Sequence, residues 1–291
     1  MKPARFEYHR PSTAAEAVGL LGDLGEGAKV LAGGQSLVAI LALRLAVFDH
    51  LVDIGHIPEL RGIERHDGSL RIGASTTQAE VEHSADVAAA APLLSKATPL
   101  VGHFQIRNRG TLGGSIAHAD PAAEYPAVAL TLDASMHVAS VRGARSIAAR
   151  DFFDGVWTTT MTADELLVGI ELPVWTGRRG FAVEEIARRH GDFAIAGATV
   201  GVEIDESSAI TRVAIGLLGM GSKPERATRA EQAILGRPLD DVDPAELGRL
   251  AVEDLDAVPS DLHGSAAYRR RVGAVAVARA WNAASEEARR G

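Results

Sequence analysis

Two glycine pairs far apart in the chain, Gly33-Gly34 and Gly113-Gly114, are each followed by a small hydroxyl residue, Ser36 or Ser115. Successive main-chain amides around a glycine turn make an anion-binding concavity, and a helix N-terminus adds partial positive charge that favours phosphate. Two such loops closing on one ligand would suit a pyrophosphate. The competing reading is that each pair only makes a tight turn, because glycine tolerates φ > 0 where other residues do not.

Other chemistries lack their residues. No G-x-x-x-x-G-K-[ST] occurs, and the nearest approaches to G-x-G-x-x-G, at Gly25-Glu26-Gly27 and Gly219-Met220-Gly221, lack the third glycine. A P-loop and a Rossmann dinucleotide site are therefore unsupported. Neither a G-x-S-x-G elbow nor an HExxH motif is present, so hydrolase machinery is missing. His118 and Asp120 have a spacing a metal can use, but an N-cap aspartate beside a helix-entry histidine is the simpler reading. Arg107 and Arg109 read as solvated arginines, with a phosphate or an acidic partner surface as the alternative.

The elements that must position the glycine pairs follow from the pattern. Thr13 to Leu21 reads as a helix, Lys29 to Ala32 as a buried strand, Gly33 to Gln35 as a turn, and Ser36 as the N-cap of an apolar helix to about Ala46. His50 to Ile54 and Ser69 to Ala74 read as strands, and Thr77 to Thr98 as helices broken at Pro92. Asp120-Pro121 suits an N-cap and first helical position. Met136 to Ile147 and Glu165 to Leu172 read as strands, and Pro173 to Gly180 as a linker, which puts a domain boundary at 176/177. Beyond it come long strands, Phe193 to Ile204 and Ile210 to Met220, then helices at about Lys223 to Leu235, Pro244 to Ala257 and Ser265 to Arg289. Strands first and helices afterwards predict an α+β domain, a helical layer on an antiparallel sheet, behind an α/β domain.

Composition narrows the function classes. The 291 residues are 46% hydrophobic and 23% charged, which suits a globular chain with several cores and excludes collagen-like, coiled-coil and disordered readings. Thirty Lys and Arg against 38 Asp and Glu give a net charge of −8, so no basic field recommends nucleic acid or an anionic membrane. With no cysteine, disulfides, thiol catalysis and cysteine-ligated zinc or iron–sulfur clusters are excluded from this polypeptide. The N-terminus shows no signal-peptide core and no apolar run reaches membrane-spanning length, which places the protein in the cytosol.

The motifs Ala32-Gly33-Gly34-Gln35-Ser36-Leu37, Ile106-Arg107-Asn108-Arg109-Gly110-Thr111-Leu112-Gly113-Gly114-Ser115 and His118-Ala119-Asp120-Pro121 occur in order, followed by Asp164-Glu165-Leu166-Leu167 and Arg188-Arg189-His190-Gly191-Asp192-Phe193-Ala194. This set resembles the FAD-binding medium subunits of the molybdenum hydroxylases, which include carbon monoxide dehydrogenases and the flavin portion of xanthine dehydrogenases. The resemblance implies a two-lobed FAD domain whose two glycine loops hold the diphosphate, followed by a smaller C-terminal domain. It implies FAD contacts at Ala32, Gly33, Gly34, Gln35 and Ser36 and at Thr111, Gly113, Gly114 and Ser115. Lys29, Val30 and Leu31 lead into the first loop, and Leu37, Ile106, Gly110 and Asp120 belong to the same motifs.

Glu124 matches an acidic FAD-contacting position, Leu167 an apolar contact for the adenosine end, and Phe193 a side chain that covers one flavin face. A core phenylalanine is the alternative at Phe193. Gln35 and Ser115 depart from the His and Asn of many relatives, and Glu184 stands where xanthine dehydrogenases carry a basic residue, which disfavours NAD as acceptor. The implied partners are a large molybdenum-cofactor subunit and a small subunit with two iron–sulfur clusters, assembled as a dimer of heterotrimers. Electrons would pass through FAD to an external acceptor, and no catalytic residue and no metal site is implied in this chain. The rivals are a free-standing flavin oxidase with histidine-linked flavin and an assembly module without FAD. The large subunit's substrate stays open among carbon monoxide, purines, N-heterocycles and aldehydes.

Overall fold

The computed structural model describes residues 2–291. A small parallel sheet comes first, with Glu7–His9 on the edge, His50–Asp53 in the centre and Ala28–Leu31 on the other side. The helix Ala14–Leu24 crosses between its strands; Thr13 caps it by accepting the Glu16 amide, and Ala17, Val18 and Leu21 form its buried face. With Val52, Ile54 and Ile57 these make the core of the first lobe.

The second lobe is a five-stranded antiparallel sheet in the order Ile63–His66, Ser69–Gly73, Leu166–Pro173, Ser135–Ser140, Gly143–Ala148. Its inner face packs Leu70, Ile72, Met136, Val138 and Ile170 against helices inserted between residues 78 and 131. The stretch Met136 to Ile147, expected as one strand, is a hairpin whose turn lies at Val141 and Arg142.

The C-terminal unit is antiparallel, with Arg178–Ile186, Ala196–Ile204, Ile210–Leu218 and the short Glu225–Arg226 in that order, covered by the helices Pro244–Glu253 and Ala266–Arg290. This is the expected α+β layering. Its first strand fell partly in the stretch read as a linker. Gly180 explains why the strand is there: a Cβ on it would strike the Ala284 carbonyl oxygen and come 2.7 Å from the Ala288 amide, so the long helix lies directly on its backbone. Trp175 is also no flexible spacer, being buried edge-on against Phe181 with Arg212 3.9 Å above its ring.

Among the described residues, no helix is long and apolar enough to cross a membrane.

Candidate cofactor site

The strand Ala28–Leu31 delivers the first glycine loop and the helix Leu112–His118 carries the second pair in its first turn. The loops meet. A Cβ on Gly33 would strike the Arg109 carbonyl oxygen and stand 2.7 Å from both its carbonyl carbon and the Gly110 Cα, so backbone lies on backbone. A Cβ on Gly114 would reach Ala32 Cβ at 3.4 Å from the other side. Gly34 sits at φ 74°, in the left-handed region that only glycine enters freely.

The amides of the two loops differ in what they have left to offer. Leu112 donates to Thr76 O at 3.0 Å, Gly113 to Ala74 O at 2.9 Å, Gly114 to Thr111 Oγ1 at 3.0 Å and Ser115 to Thr111 O at 3.1 Å. The second loop is thus tied inward, with Thr111 as the N-cap of its helix. By contrast, the amides of Gly33, Gly34, Gln35 and Ser36 find no acceptor among the described residues. In this half-exposed loop, consecutive amides that no protein acceptor claims are available to a polyanion. The first loop therefore fits a diphosphate through its main chain, and Thr111 and Ser115 border it from the second.

Several side chains do other work than their motifs imply. Gln35 folds back, its Nε2 donating to Gly33 O at 2.9 Å, so it braces the loop. Ser36 is in αR conformation without a side-chain cap, and the helix it was expected to start is only Leu37–Ala42, leaving Val38, Leu43, Leu45 and Val47 exposed. Asp120 is no helix cap: Oδ1 accepts the Ala122 amide at 2.9 Å and Oδ2 the Trp157 indole at 3.0 Å, while the next helix, Glu124–Thr131, begins after Ala123. His118 stacks on Trp157, and burial lowers its pKa. Lys29 is exposed with its ammonium 5.8 Å from the Phe48 ring centroid, whereas Val30 packs against the first lobe's core. Leu31 lies under Gly34. Leu167 is buried in the second lobe's core.

Phe193 is 62% exposed, which removes the core alternative. Its loop is held by Gly191 against Gly102 and His103, with the His103 and His190 rings 5.9 Å apart, and Gly102 packs in turn on Ile106. Phe104, Ile106 and Phe193 thus give this part of the surface exposed apolar groups.

Three buried features carried no signal that the motifs could supply. Gln78 closes on Gly110, its main-chain N–H donating to Gly110 O at 2.8 Å. Arg107 is not solvated but buried, paired with Glu82 at 2.7 Å and donating to the carbonyls of Val101 and Gly102; Arg109 is exposed. Glu185, rather than Glu184, is the carboxylate withdrawn from water. Burial pushes its pKa up to about 7, and pushes that of Glu124 up to about 8 with Glu185 and Asp120 adding repulsion. Glu185 Oε2 is buried without a hydrogen-bond partner. Strand alternation could have shown that only one of the two adjacent glutamates faces inward.

A two-lobed α/β unit with converging glycine loops, joined to an antiparallel sheet under helices, defines a flavin-carrying oxidoreductase subunit. The family described as FAD binding domain in molybdopterin dehydrogenase matches residues 4–175, and that described as CO dehydrogenase flavoprotein C-terminal domain matches residues 181–284. The 6-hydroxypseudooxynicotine dehydrogenase complex subunit alpha of Paenarthrobacter nicotinovorans is 41% identical over 94% of this chain and 92% of its own. The carbon monoxide dehydrogenase medium chain of Hydrogenophaga pseudoflava is 37% identical over 98% of each chain. A solved structure of the Hydrogenophaga pseudoflava carbon monoxide dehydrogenase superposes with a TM-score of 0.95 at 38% identity, covering 99% of each chain. The chain belongs to the FAD-binding medium subunits of the molybdenum hydroxylases, and its cofactor is FAD.

Proposed function

We propose that the FAD diphosphate lies on the amides of Gly33, Gly34, Gln35 and Ser36, bordered by Thr111, Gly114 and Ser115. The observation that carries this reading is the row of amides without internal acceptors in a loop that packs, backbone to backbone, on the second glycine loop. When bound, FAD supplies the redox chemistry; the chain binds it, orients it and sets its surroundings. Glu124, whose pKa burial pushes up to about 8, enters those surroundings largely protonated near neutrality, and Glu185, pushed up to about 7, about half protonated, so together they add less negative charge than two ordinary carboxylates. Phe193 is proposed to cover one face of the flavin from its exposed loop, and Leu167 to back the adenosine end from within the sheet. The FAD domain is proposed to run from 1 to 176 and the C-terminal domain from 177 to 291.

In the assembled enzyme the chain receives electrons from a small subunit with two iron–sulfur clusters, which draws them from a large molybdenum-cofactor subunit, and it passes them to an external acceptor. The absence of cysteine here requires that any cluster belong to a partner. The proposed assembly is a dimer of heterotrimers in the cytoplasm. Purification from the native host tests this: cysteine-rich and molybdenum-bearing companions are expected with the yellow chain, and a yellow chain that purifies alone as a competent oxidase would contradict it.

A further inference from the structure

The edge and central strands of the small parallel sheet bring together three side chains of metal-ligating type that lie outside the glycine-loop motifs. Glu7 and His9 are two positions apart on the edge strand, so both side chains leave the same face, and the parallel register sets His50 opposite Glu7. His9 Nε2 is 3.1 Å from His50 Nδ1, and Glu7 Oε2 is 3.6 Å from the same nitrogen. One ligand atom from each residue lies within 4.8 Å of the other two.

We propose that Glu7, His9 and His50 form a binding site for a divalent transition cation of the zinc class. A tetrahedral ion with bonds of about 2.0–2.2 Å sets neighbouring ligand atoms about 3.3 Å apart. The two shortest separations here lie on either side of that value. Two imidazoles and one carboxylate suit zinc and its first-row neighbours, whereas magnesium and calcium take oxygen donors. The chain has no thiolate set that would compete.

Two ring nitrogens at hydrogen-bond distance can share a single proton, and a cation in that proton's place would face both lone pairs. The backbone holds the geometry: the Glu7 amide donates to Asp49 O at 2.8 Å, and His50 is paired with Glu7 on one side and Ala28 on the other. The His50 side chain is 23% exposed and that of Glu7 74%, so the ion would be reached from solvent, with its fourth position open to water. Because the strands are parallel, His50 stands at the end of the sheet opposite to the one from which the Gly33 loop departs. Metal and flavin contents are therefore separate readouts.

The test is equilibrium dialysis of the full, FAD-loaded chain against zinc chloride after chelator treatment. One tightly bound zinc is expected, weakened at least tenfold in His9→Ala and in His50→Ala and several-fold in Glu7→Gln, with flavin content unchanged in all three. Zinc-soaked crystals of the unaltered chain are expected to show an anomalous peak at the zinc edge between the three side chains. No bound zinc, an affinity in either histidine variant equal to that of the unaltered chain, or a peak only at other histidines would overturn the proposal.

Discussion

Gly33 has no space for a side chain, since the Arg109 carbonyl and Gly110 Cα occupy the place of its Cβ. Gly33→Ala must push the two loops apart, and FAD content is expected to fall at least tenfold. Gly155→Ala, where a Cβ meets nothing within 4 Å, is the control expected to keep its flavin; the flavin-to-protein absorbance ratio reads both. Glu124 makes a second prediction. Its carboxyl is raised from the usual 4.5 to about 8, so between those values the unfolded chain has released a proton that the folded chain keeps. Stability contributed by this group is complete below about pH 4.5 and declines as pH rises toward 8. Glu124→Gln should remove that decline, stabilising the flavin-free chain at pH 8 by about 2 kcal/mol, on the order of 5 °C in Tm, with little change near pH 4.5. At this scale the glycine pairs were legible because glycine alone permits close approach and positive φ. The direction of each amide was not, because Thr76 and Ala74, which claim the second loop's donors, are brought there only by the tertiary fold.

The short elements around the loops show where periodicity stops being informative. The apolar run after Ser36 reads as a helix to Ala46 but ends at Ala42, and Arg44 at φ 55° breaks the pattern in a conformation that sequence does not announce. Asp120 was displaced from its expected cap for a similar reason. Ala119 at φ 52° ends the helix before it, leaving the aspartate to close a turn and hold Trp157. Beneath these loops the helix Phe104–Arg107 is pinned by the Arg107–Glu82 pair, whose side chains are 11% and 21% exposed. Removing one partner of such a pair strands the other, so Glu82→Ala is expected to cost about 3 kcal/mol in urea unfolding. The double variant Arg107→Met, Glu82→Leu should recover part of that loss.

Across the whole molecule, the order of α/β lobes followed by strands and then helices was readable, since it depends on long amphipathic segments. The strand Arg178–Ile186 was harder because Gly177, Gly180 and neighbouring arginines look like linker chemistry, whereas Gly180 is there to admit the long C-terminal helix. That helix also ties the two units together: Glu287 accepts from Lys96 at 2.5 Å and from the Phe181 amide at 2.7 Å. Glu287→Ala leaves the Phe181 amide without its acceptor and takes the carboxylate from Lys96, which keeps only the Phe181 carbonyl at 2.6 Å, and is expected to lower stability by about 1–2 kcal/mol in thermal unfolding without changing flavin stoichiometry. The most direct measurement of the central claim is a crystal structure of the FAD-loaded chain. The diphosphate oxygens are expected within about 2.7–3.2 Å of the Gly33, Gly34, Gln35 or Ser36 amides. A diphosphate bound elsewhere, with those four amides facing only solvent, would contradict it.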